Sequence, residues 1–241
     1  MKQYGTIKFS TVDAPKPFTG ICEGFTYKNA NQVTEIQGES DLAAIVIHGA
    51  KGELSFSATP AGTVLALGLR AGAEITVTGV TGGKIIVTQS AAKWQRGQAL
   101  TFDAQASHFP DLSVAATGEI TLGDIAFART AGALQMPADK VWWGVEGITG
   151  PVEGLVQSCS ISESVQIQEE EDADGKITAL AVHGYKATAQ LEMLTSAEPP
   201  APGTTLDLFG SFLVTSSETK WTKGQMRSIS VEGTLLPGIT P

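Results

Sequence analysis

The residues of this chain best suited to chemistry are three histidines and one run of carboxylates. The run Glu169–Asp174 contains Asp172-x-Asp174-Gly175, which resembles the start of a calcium-binding loop. Such a loop also needs later oxygen ligands and a closing glutamate between helices, whereas strand-like residues follow directly here. Asp-Gly between two alternating segments is typical of a hairpin turn, because both positions tolerate positive φ. The sequence therefore predicts a solvated hairpin tip and no metal site.

The histidines show no spacing that indicates a catalytic or metal-binding site. His48 and His183 each precede a glycine after an apolar segment, and His108 stands in Ser107-His-Phe-Pro110. Histidine titrates near neutrality, but no accompanying carboxylate and nucleophile pattern is present. His-x-x-x-His and Cys-x-x-Cys spacings are absent, which argues against zinc. We expect His48 and His183 to occupy ordinary turns at strand exits.

Known catalytic motifs are absent from the sequence. It has no Gly-x-Ser-x-Gly elbow and no phosphate-binding glycine-rich loop ahead of a helix. Carboxylates are numerous, but nothing in the sequence places two of them across a cleft. The chain is therefore predicted not to be an enzyme and to need no cofactor.

Two tryptophans lie in a segment that occurs twice. Val87–Gln98 and Val214–Gln225 share seven of twelve residues at a separation of 127, including Trp94 and Trp221. Each tryptophan lies between two basic residues, which could form a cation and aromatic surface for a ligand. The favoured interpretation is that each indole covers the open end of an apolar core while Lys93 and Lys220 extend into solvent.

The repeat extends beyond this segment and predicts two copies of one module. Gly72–Gly79 aligns with Gly203–Gly210, Val46–Gly49 aligns with Ala181–Gly184, and Glu23-Gly24 aligns with Glu153-Gly154. The changes of offset fall where loop-forming residues cluster. The predicted organisation is a first β-sandwich module over residues 1–110, an unduplicated connector over 111–150, and a second module over 151–241.

Short alternating segments predict an all-β fold with little helix. About six strands in some 85 residues is the strand density of a small sandwich or barrel. The weak helical segment is Gly62–Arg70. The predicted strands are 33–36, 42–47, 54–57, 75–78, 85–88 and 100–104 in the first copy, and 158–168, 177–182, 188–194, 206–208, 212–215 and 228–232 in the second.

The unduplicated connector holds the predicted interface residues. Trp142 and Trp143 are adjacent, so in a strand they point to opposite faces and both cannot be buried on one side. Ile125 and Phe127 lie in a strand-like stretch of the same connector. This segment is either a hairpin that crosses to a neighbouring module or subunit, or an extra edge for the second module. All four residues are candidate interface anchors, since tryptophan is over-represented at such positions.

Composition narrows the class of partner. The net charge is −9, from 16 basic and 25 acidic residues, which argues against tight nucleic-acid binding. No apolar run approaches the ~18 residues of a membrane span, and the amino-terminal residues lack the apolar core of a signal peptide. Cys22 and Cys159 do not occupy equivalent repeat positions, so two free thiols in a reducing compartment are expected.

The order of features in each copy resembles bacteriophage virion proteins of the tail-tube and head-tail-joining (neck) type. The resemblance rests on Val165–Gln168, Asp172–Gly175, His183–Lys186, Ala189–Glu192, Pro202-Gly203, Val214–Ser217 and Ser228–Glu232. It implies β-sandwiches whose inner sheets join into rings that stack into a hollow tube or adaptor. Two modules per chain would then give a trimeric ring with pseudo-sixfold symmetry, or a hexamer with twelve modules.

The same resemblance implies a location in the virion after assembly in the host cytoplasm, with other tail or neck proteins as further partners. DNA would then be passing cargo, and the negative net charge suggests an acidic lumen that it crosses with little friction. The alternatives are a virion decoration protein, or a surface β-sandwich that binds protein or carbohydrate.

Overall fold

Alternating apolar and polar residues form ten strands in the computed structural model of the chain. The structure describes residues 20–37, 42–60, 70–113, 148, 150–207 and 211–235. The strands, numbered in chain order, are β1 Gly20–Gln37, β2 Leu42–Pro60, β3 Glu74–Ile75, β4 Lys84–Gln95, β5 Thr101–Phe109, β6 Leu155–Glu171, β7 Ile177–Leu194, β8 Thr205–Asp207, β9 Ser211–Lys220 and β10 Ser228–Leu235.

All ten strands belong to one antiparallel sheet. Its order is β1-β2-β5-β4-β6-β7-β10-β9-β8, and β3 pairs with β4 beside this path. The all-β prediction is confirmed, and the described residues contain no helix. The five strands of each half occupy contiguous positions, so the sheet passes from one half to the other at β4 and β6. The division into two separate tandem modules stays a prediction.

One face of the sheet carries the main core. Strand β5 shows the pattern, since Phe102, Ala104 and Ala106 are buried while Gln105 between them is exposed. Residues from β2 to β10 join in a single buried cluster with these side chains. A second, smaller cluster contains Ile86, Phe109, Leu112 and Ile177, and it lies where the β6–β7 hairpin packs on the ends of β4 and β5.

The expectation that each His-Gly pair ends a strand is wrong. Gly49 and Gly184 lie inside β2 and β7, with φ of 60° and 64°. The register shifts at each glycine, because two residues of its strand face one residue of the neighbouring strand. Glycine with positive φ allows this kind of bulge, which bends a strand without ending it. The segments predicted on either side of each glycine therefore form one long strand, and the described residues of each half form five strands instead of six.

The two halves have register shifts at corresponding places. Pairing of β1 with β2 shifts at Cys22/Gly24, Ala30/Gln32 and Ile36/Gln37, and pairing of β6 with β7 shifts at Val156/Ser158, Ser164/Gln166 and Glu170/Glu171. Each position in β6 lies 134 residues after its counterpart in β1. The sequence alignment of Gly24 with Gly154 was therefore wrong by four residues, and the structural counterpart of Gly24 is Ser158.

The repeated Val-Thr segment also keeps its local geometry. The hydroxyl of Thr88 donates to the carbonyl of Gln105 at 3.2 Å, and that of Thr215 donates to the carbonyl of Glu232 at 3.2 Å. Both threonines lie at a register shift, between Val87 and Gln89 and between Val214 and Ser216. A separation of 127 residues therefore relates β4 and β5 to β9 and β10, as the sequence indicated.

The acidic run forms the predicted hairpin turn between β6 and β7. Asp172 Oδ1 accepts hydrogen bonds from the backbone amides of Asp174 at 2.9 Å and Lys176 at 3.0 Å, and Gly175 has φ of 72°. The carboxylate thus serves the turn's own backbone, which is a common use of aspartate in turns.

Several predictions lie outside the described residues. They are the interface residues Ile125, Phe127, Trp142 and Trp143, the helical segment at 62–69, and nearly all of the connector. No helix in the described part of the chain is long and apolar enough to cross a membrane.

Candidate self-association site

The halves of the chain are joined by a strand pair, which we call the seam. The second part of β4, Gln89–Gln95, pairs antiparallel with Ser158–Ser164 of β6. The first part of β4 pairs instead with β3, so β4 changes partner along its length. Beyond the last pair, the amide of Arg96 donates to the carbonyl of Gln157 at 2.9 Å. The seam is therefore an ordinary ladder of backbone hydrogen bonds with a fixed register.

Trp94 lies on the core side of the seam. Its Cα partner across the seam is Cys159, and the two side chains are 1% and 2% exposed. The prediction that the first repeated tryptophan serves the core is therefore confirmed, and the structure shows that β6 contributes to its burial.

Within the described part of the chain, the counterparts of both seam strands each have a free edge. In the described residues, β9 beyond Leu213 pairs only with β10, and β1 pairs only with β2. Strand β9 corresponds to β4, and β1 corresponds to β6. Unpaired edge strands present free amides and carbonyls that can template pairing with another chain.

Trp221, the counterpart of Trp94, is 73% exposed. The prediction that this tryptophan also covers a core is wrong, because among the described strands none lies along this part of β9 in the way that β6 lies along β4. The guanidinium carbon of Arg227 is 5.3 Å from the centre of the Trp221 ring, so the exposed indole takes part in a cation–π contact.

A buried ionic cluster stabilises the seam on one side of the sheet. Arg70 Nε donates to Glu163 Oε2 at 2.7 Å, and its Nη2 lies 2.6 Å from Glu163 Oε1 and donates to the Tyr185 hydroxyl at 2.8 Å. The amide of Ala71 also donates to Glu163, at 3.3 Å. The side chain of Glu163 is 3% exposed, so its charge depends on these partners.

The sequence contained one signal for this cluster that was missed. Glu163 stands at an inward-facing position of β6 between Ile161 and Val165, where a charged residue needs a partner. Arg70 precedes it by 93 positions, so no local pattern could identify that partner.

This cluster distinguishes the seam from its free counterparts. The counterpart of Arg70 in the second half is Ala201, and the counterparts of Glu163 and Tyr185 in the first half are Asn29 and Ala50. A contact made through β9 and β1 would therefore lack the buried ion pair. Such a contact is expected to dissociate more easily than the seam.

Burial affects two acidic groups near the seam. It raises the pKa of the Cys159 thiol to about 12, from an ordinary value of 9.0. Burial also raises the pKa of Tyr185 to about 12, from 10.0, and the charge of Glu163 adds to this while Arg70 opposes it. For Arg70, burial disfavours the charged form, but the hydrogen bond and charge of Glu163 outweigh it and raise the pKa.

These shifts predict a loss of stability at alkaline pH. Both groups ionise at lower pH in the unfolded chain than in the folded chain, so their contribution is complete below pH 9 and is lost between about pH 9 and 12. Each group contributes a slope of up to about 1.4 kcal/mol per pH unit. Urea unfolding from pH 8 to 11 is expected to give a shallower slope for Cys159→Ala than for the wild type. Equal slopes would contradict the assignment.

The histidines lie in three different environments. His108 is buried, with its Nδ1 2.9 Å from the Tyr27 hydroxyl and its Nε2 2.8 Å from the carbonyl oxygen of Gly82. His48 Nδ1 lies 3.3 Å from Glu171 Oε2, and its Nε2 lies 3.0 Å from the Thr34 hydroxyl. His183 is exposed. The structure does not bring the three rings together.

Among the residues that the structure describes, no group of three or more His, Cys, Asp or Glu side chains could hold a metal ion. Cys22 and Cys159 are both free thiols. Comparison of the chain with protein-family models and with curated protein sequences gave no match. Among the described residues, β9 and β1 have free edges, whereas their counterparts β4 and β6 pair with each other within the chain.

Proposed function

We propose that this protein is a non-enzymatic structural protein that assembles with copies of itself into a ring or tube. The observation that carries the proposal is the seam, because in the described residues the counterpart of each seam strand has one free edge, along β9 beyond Leu213 and along β1. Pairing β9 of one chain with β1 of the next would repeat the seam between chains. Such a head-to-tail contact closes into a ring when the rotation per chain allows it.

The register of the seam defines the residues that would meet. Ala91 pairs with Ser162 in the seam, and the counterparts of these residues are Glu218 and Lys28. Opposite charges directly across a strand pair are favourable, which supports this register. In the isolated chain Glu218 Oε2 lies 3.3 Å from Lys220 Nζ, with both side chains mostly exposed, so it is accessible to a second partner.

The same register accounts for the exposed indole. Trp94 pairs with Cys159, and their counterparts are Trp221 and Phe25. Strand β1 of a second chain would then cover Trp221 as β6 covers Trp94. A large aromatic residue that becomes buried on association is a typical binding hot spot.

The seam within a chain and the β9–β1 contact between chains would be similar strand pairs. Each half of the chain would then be one quasi-equivalent unit of the ring, so each chain contributes two. Three chains then give a ring of six units, and six chains give a ring of twelve. We propose further that the assembly is a bacteriophage tail tube or neck adaptor. The resemblance described above supports that location.

The polar face of the sheet is suited to line a channel. It forms a concave trough of about 720 Å³ whose lining includes Ser55, Asp103, Gln105, Ser162 and Lys186. About half of the lining residues carry hydroxyl or amide side chains, and the charged ones are Asp103, Lys186 and Glu163, whose carboxylate is paired with Arg70. The main acidic run instead lies at the tip of the β6–β7 hairpin, with Glu169–Glu171 at the end of β6 and Asp172 and Asp174 in the turn. This distribution favours a nearly neutral, hydrated wall over the acidic lumen that net charge alone suggested.

The exposed Trp221 ring also favours a second candidate function. A solvent-facing indole is suited to bind a carbohydrate or a protein segment on a monomeric β-sandwich. This function does not require the matching edges, and it predicts no dependence on protein concentration.

Self-association of the wild-type chain is the experiment that separates these functions. Native mass spectrometry and light scattering are expected to show discrete oligomers of three or six chains that form as concentration rises. Negative-stain microscopy is expected to show rings or stacked rings. A monomer at every concentration tested would refute the assembly proposal and favour the binding module.

A further inference from the structure

The two long hairpins of the sheet, β1–β2 and β6–β7, differ in how far their tips are buried. The second arm is the tip of the β6–β7 hairpin, from the pair Gln166 and His183 to the turn. The first arm is the tip of the β1–β2 hairpin, from the pair Gln32 and His48 outwards. In the second arm Ile167, Leu180 and Val182 are partly buried against the cluster of Ile86, Phe109 and Leu112. The second arm therefore packs on the part of the sheet that belongs to the first half.

Polar contacts fix the tip of the second arm on β2. Lys51 Nζ lies 2.5 Å from Glu169 Oε1, and the amide of Gly49 donates to the carbonyl of Gly175 at 2.8 Å. The ammonium group of Lys51 is also 5.4 Å from the centre of the Phe109 ring. An apolar contact and an ion pair together hold the arm in place.

The first arm has apolar residues at the corresponding positions, but they are exposed. Val33, Ile45 and Ile47 are the counterparts of Ile167, Leu180 and Val182, and they are 57%, 54% and 62% exposed. Three neighbouring aliphatic side chains with this exposure indicate a contact surface.

The complementary surface lies at the other end of the sheet. Leu213, the counterpart of Ile86, is 45% exposed.

The charges also correspond. The counterparts of Lys51 and Glu169 are Lys186 and Glu35, which again have opposite signs. Both are exposed, and neither forms an ion pair among the described residues.

From this we infer that the first arm docks on the preceding copy of the chain. Its aliphatic residues would pack on Leu213, and Glu35 would pair with Lys186 of that copy. This inference rests on the proposed self-assembly, and it adds a second contact region to the strand edge. The partner is a second copy because this chain already makes the equivalent contact within itself.

Charge reversal tests the docking directly. In Glu35→Lys or Lys186→Glu the attraction becomes repulsion, and the concentration for half-maximal assembly is expected to rise about tenfold. The double variant restores opposite charges and is expected to return within about threefold of the wild type. Sedimentation velocity measures both, and circular dichroism confirms that each variant is folded.

Two further variants complete the test. Glu169→Lys reverses the equivalent pair within the chain, and it is expected to lower the unfolding midpoint without the same loss of assembly. Ile47→Ser tests the apolar part of the arm and is also expected to raise the assembly concentration about tenfold. If Glu35→Lys and Ile47→Ser both form rings at the same concentration as the wild type, the arm contact is overturned and the ring proposal still stands. A wild-type protein that never assembles would instead refute the proposed function itself.

Discussion

Replacement of Trp221 with alanine is expected to leave the chain folded and to disperse its assemblies, whereas Trp94→Ala is expected to destabilise the fold. Trp94 is 1% exposed at the seam, and truncation of such a core residue costs about 3–5 kcal/mol of unfolding free energy. Trp221 is 73% exposed, so the single chain should lose no more than about 0.5 kcal/mol.

Association should show the opposite sensitivity. If β1 of a second chain covers Trp221, its loss should weaken association about thirtyfold or more, the effect of a hot spot worth ~2 kcal/mol. Urea unfolding at low protein concentration measures the stability of the single chain, and sedimentation velocity measures the strength of association. Assembly of Trp221→Ala at wild-type concentrations would contradict the role of β9 as the contacting edge.

Replacement of Glu163 with alanine is expected to cause the largest loss of stability among the charged residues. The change leaves Arg70 without its carboxylate in a mostly buried position. Removal of one partner from a buried ion pair costs about 3–5 kcal/mol, because the remaining charge stays desolvated. Thermal and urea unfolding of the variant measure the loss.

The exposed pair of Lys84 and Glu74 provides a matched control. These side chains are 2.6 Å apart at a more solvent-accessible site, so Glu74→Ala is expected to cost at most about 1 kcal/mol. The double variant Arg70→Met with Glu163→Leu removes both charges and should recover much of the stability. A Glu163→Ala variant as stable as the Glu74→Ala control would show that the cluster does not stabilise the seam.

The sequence predicted the all-β class because the side-chain pattern is strong. Segments such as Ser158–Gln168 alternate along one strand and report one buried face. Glycines misled the strand count, because a positive-φ glycine can occupy a bulge as well as a turn, and Gly49 and Gly184 both lie in bulges. The prediction of a turn from His-Gly was local, whereas the bulge depends on the partner strand.

The equivalence of the repeated segments also misled the prediction for Trp221. Two similar motifs can share local hydrogen bonds, as at Thr88 and Thr215, but burial depends on which strand lies alongside. Trp94 has β6 as its neighbour and Trp221 is at an edge. The sequence contained the repeat but not the order of strands in the sheet, so the free edges could not be derived from it.

The interface was predicted in the unduplicated connector, at residues such as Trp142 and Trp143. That prediction remains open because those residues lie outside the described part of the chain. The described residues support a different site, formed by repeated elements whose contacts are complete in one half and incomplete in the other.

Disulfide trapping between chains tests most directly the claim that β9 and β1 repeat the seam. In a Cys22→Ser background the remaining native thiol, Cys159, is buried, so Lys28→Cys and Glu218→Cys each add the one exposed cysteine. Chains carrying these two changes would be mixed and oxidised, and Asn29→Cys with Ser217→Cys would test the adjacent pair. Adjacent pairs of an antiparallel ladder alternate in spacing, so at least one is well placed for a disulfide. We expect covalent dimers from these in-register mixtures and little from Lys28→Cys with Lys220→Cys. Rings that form by microscopy without in-register cross-links would contradict the account.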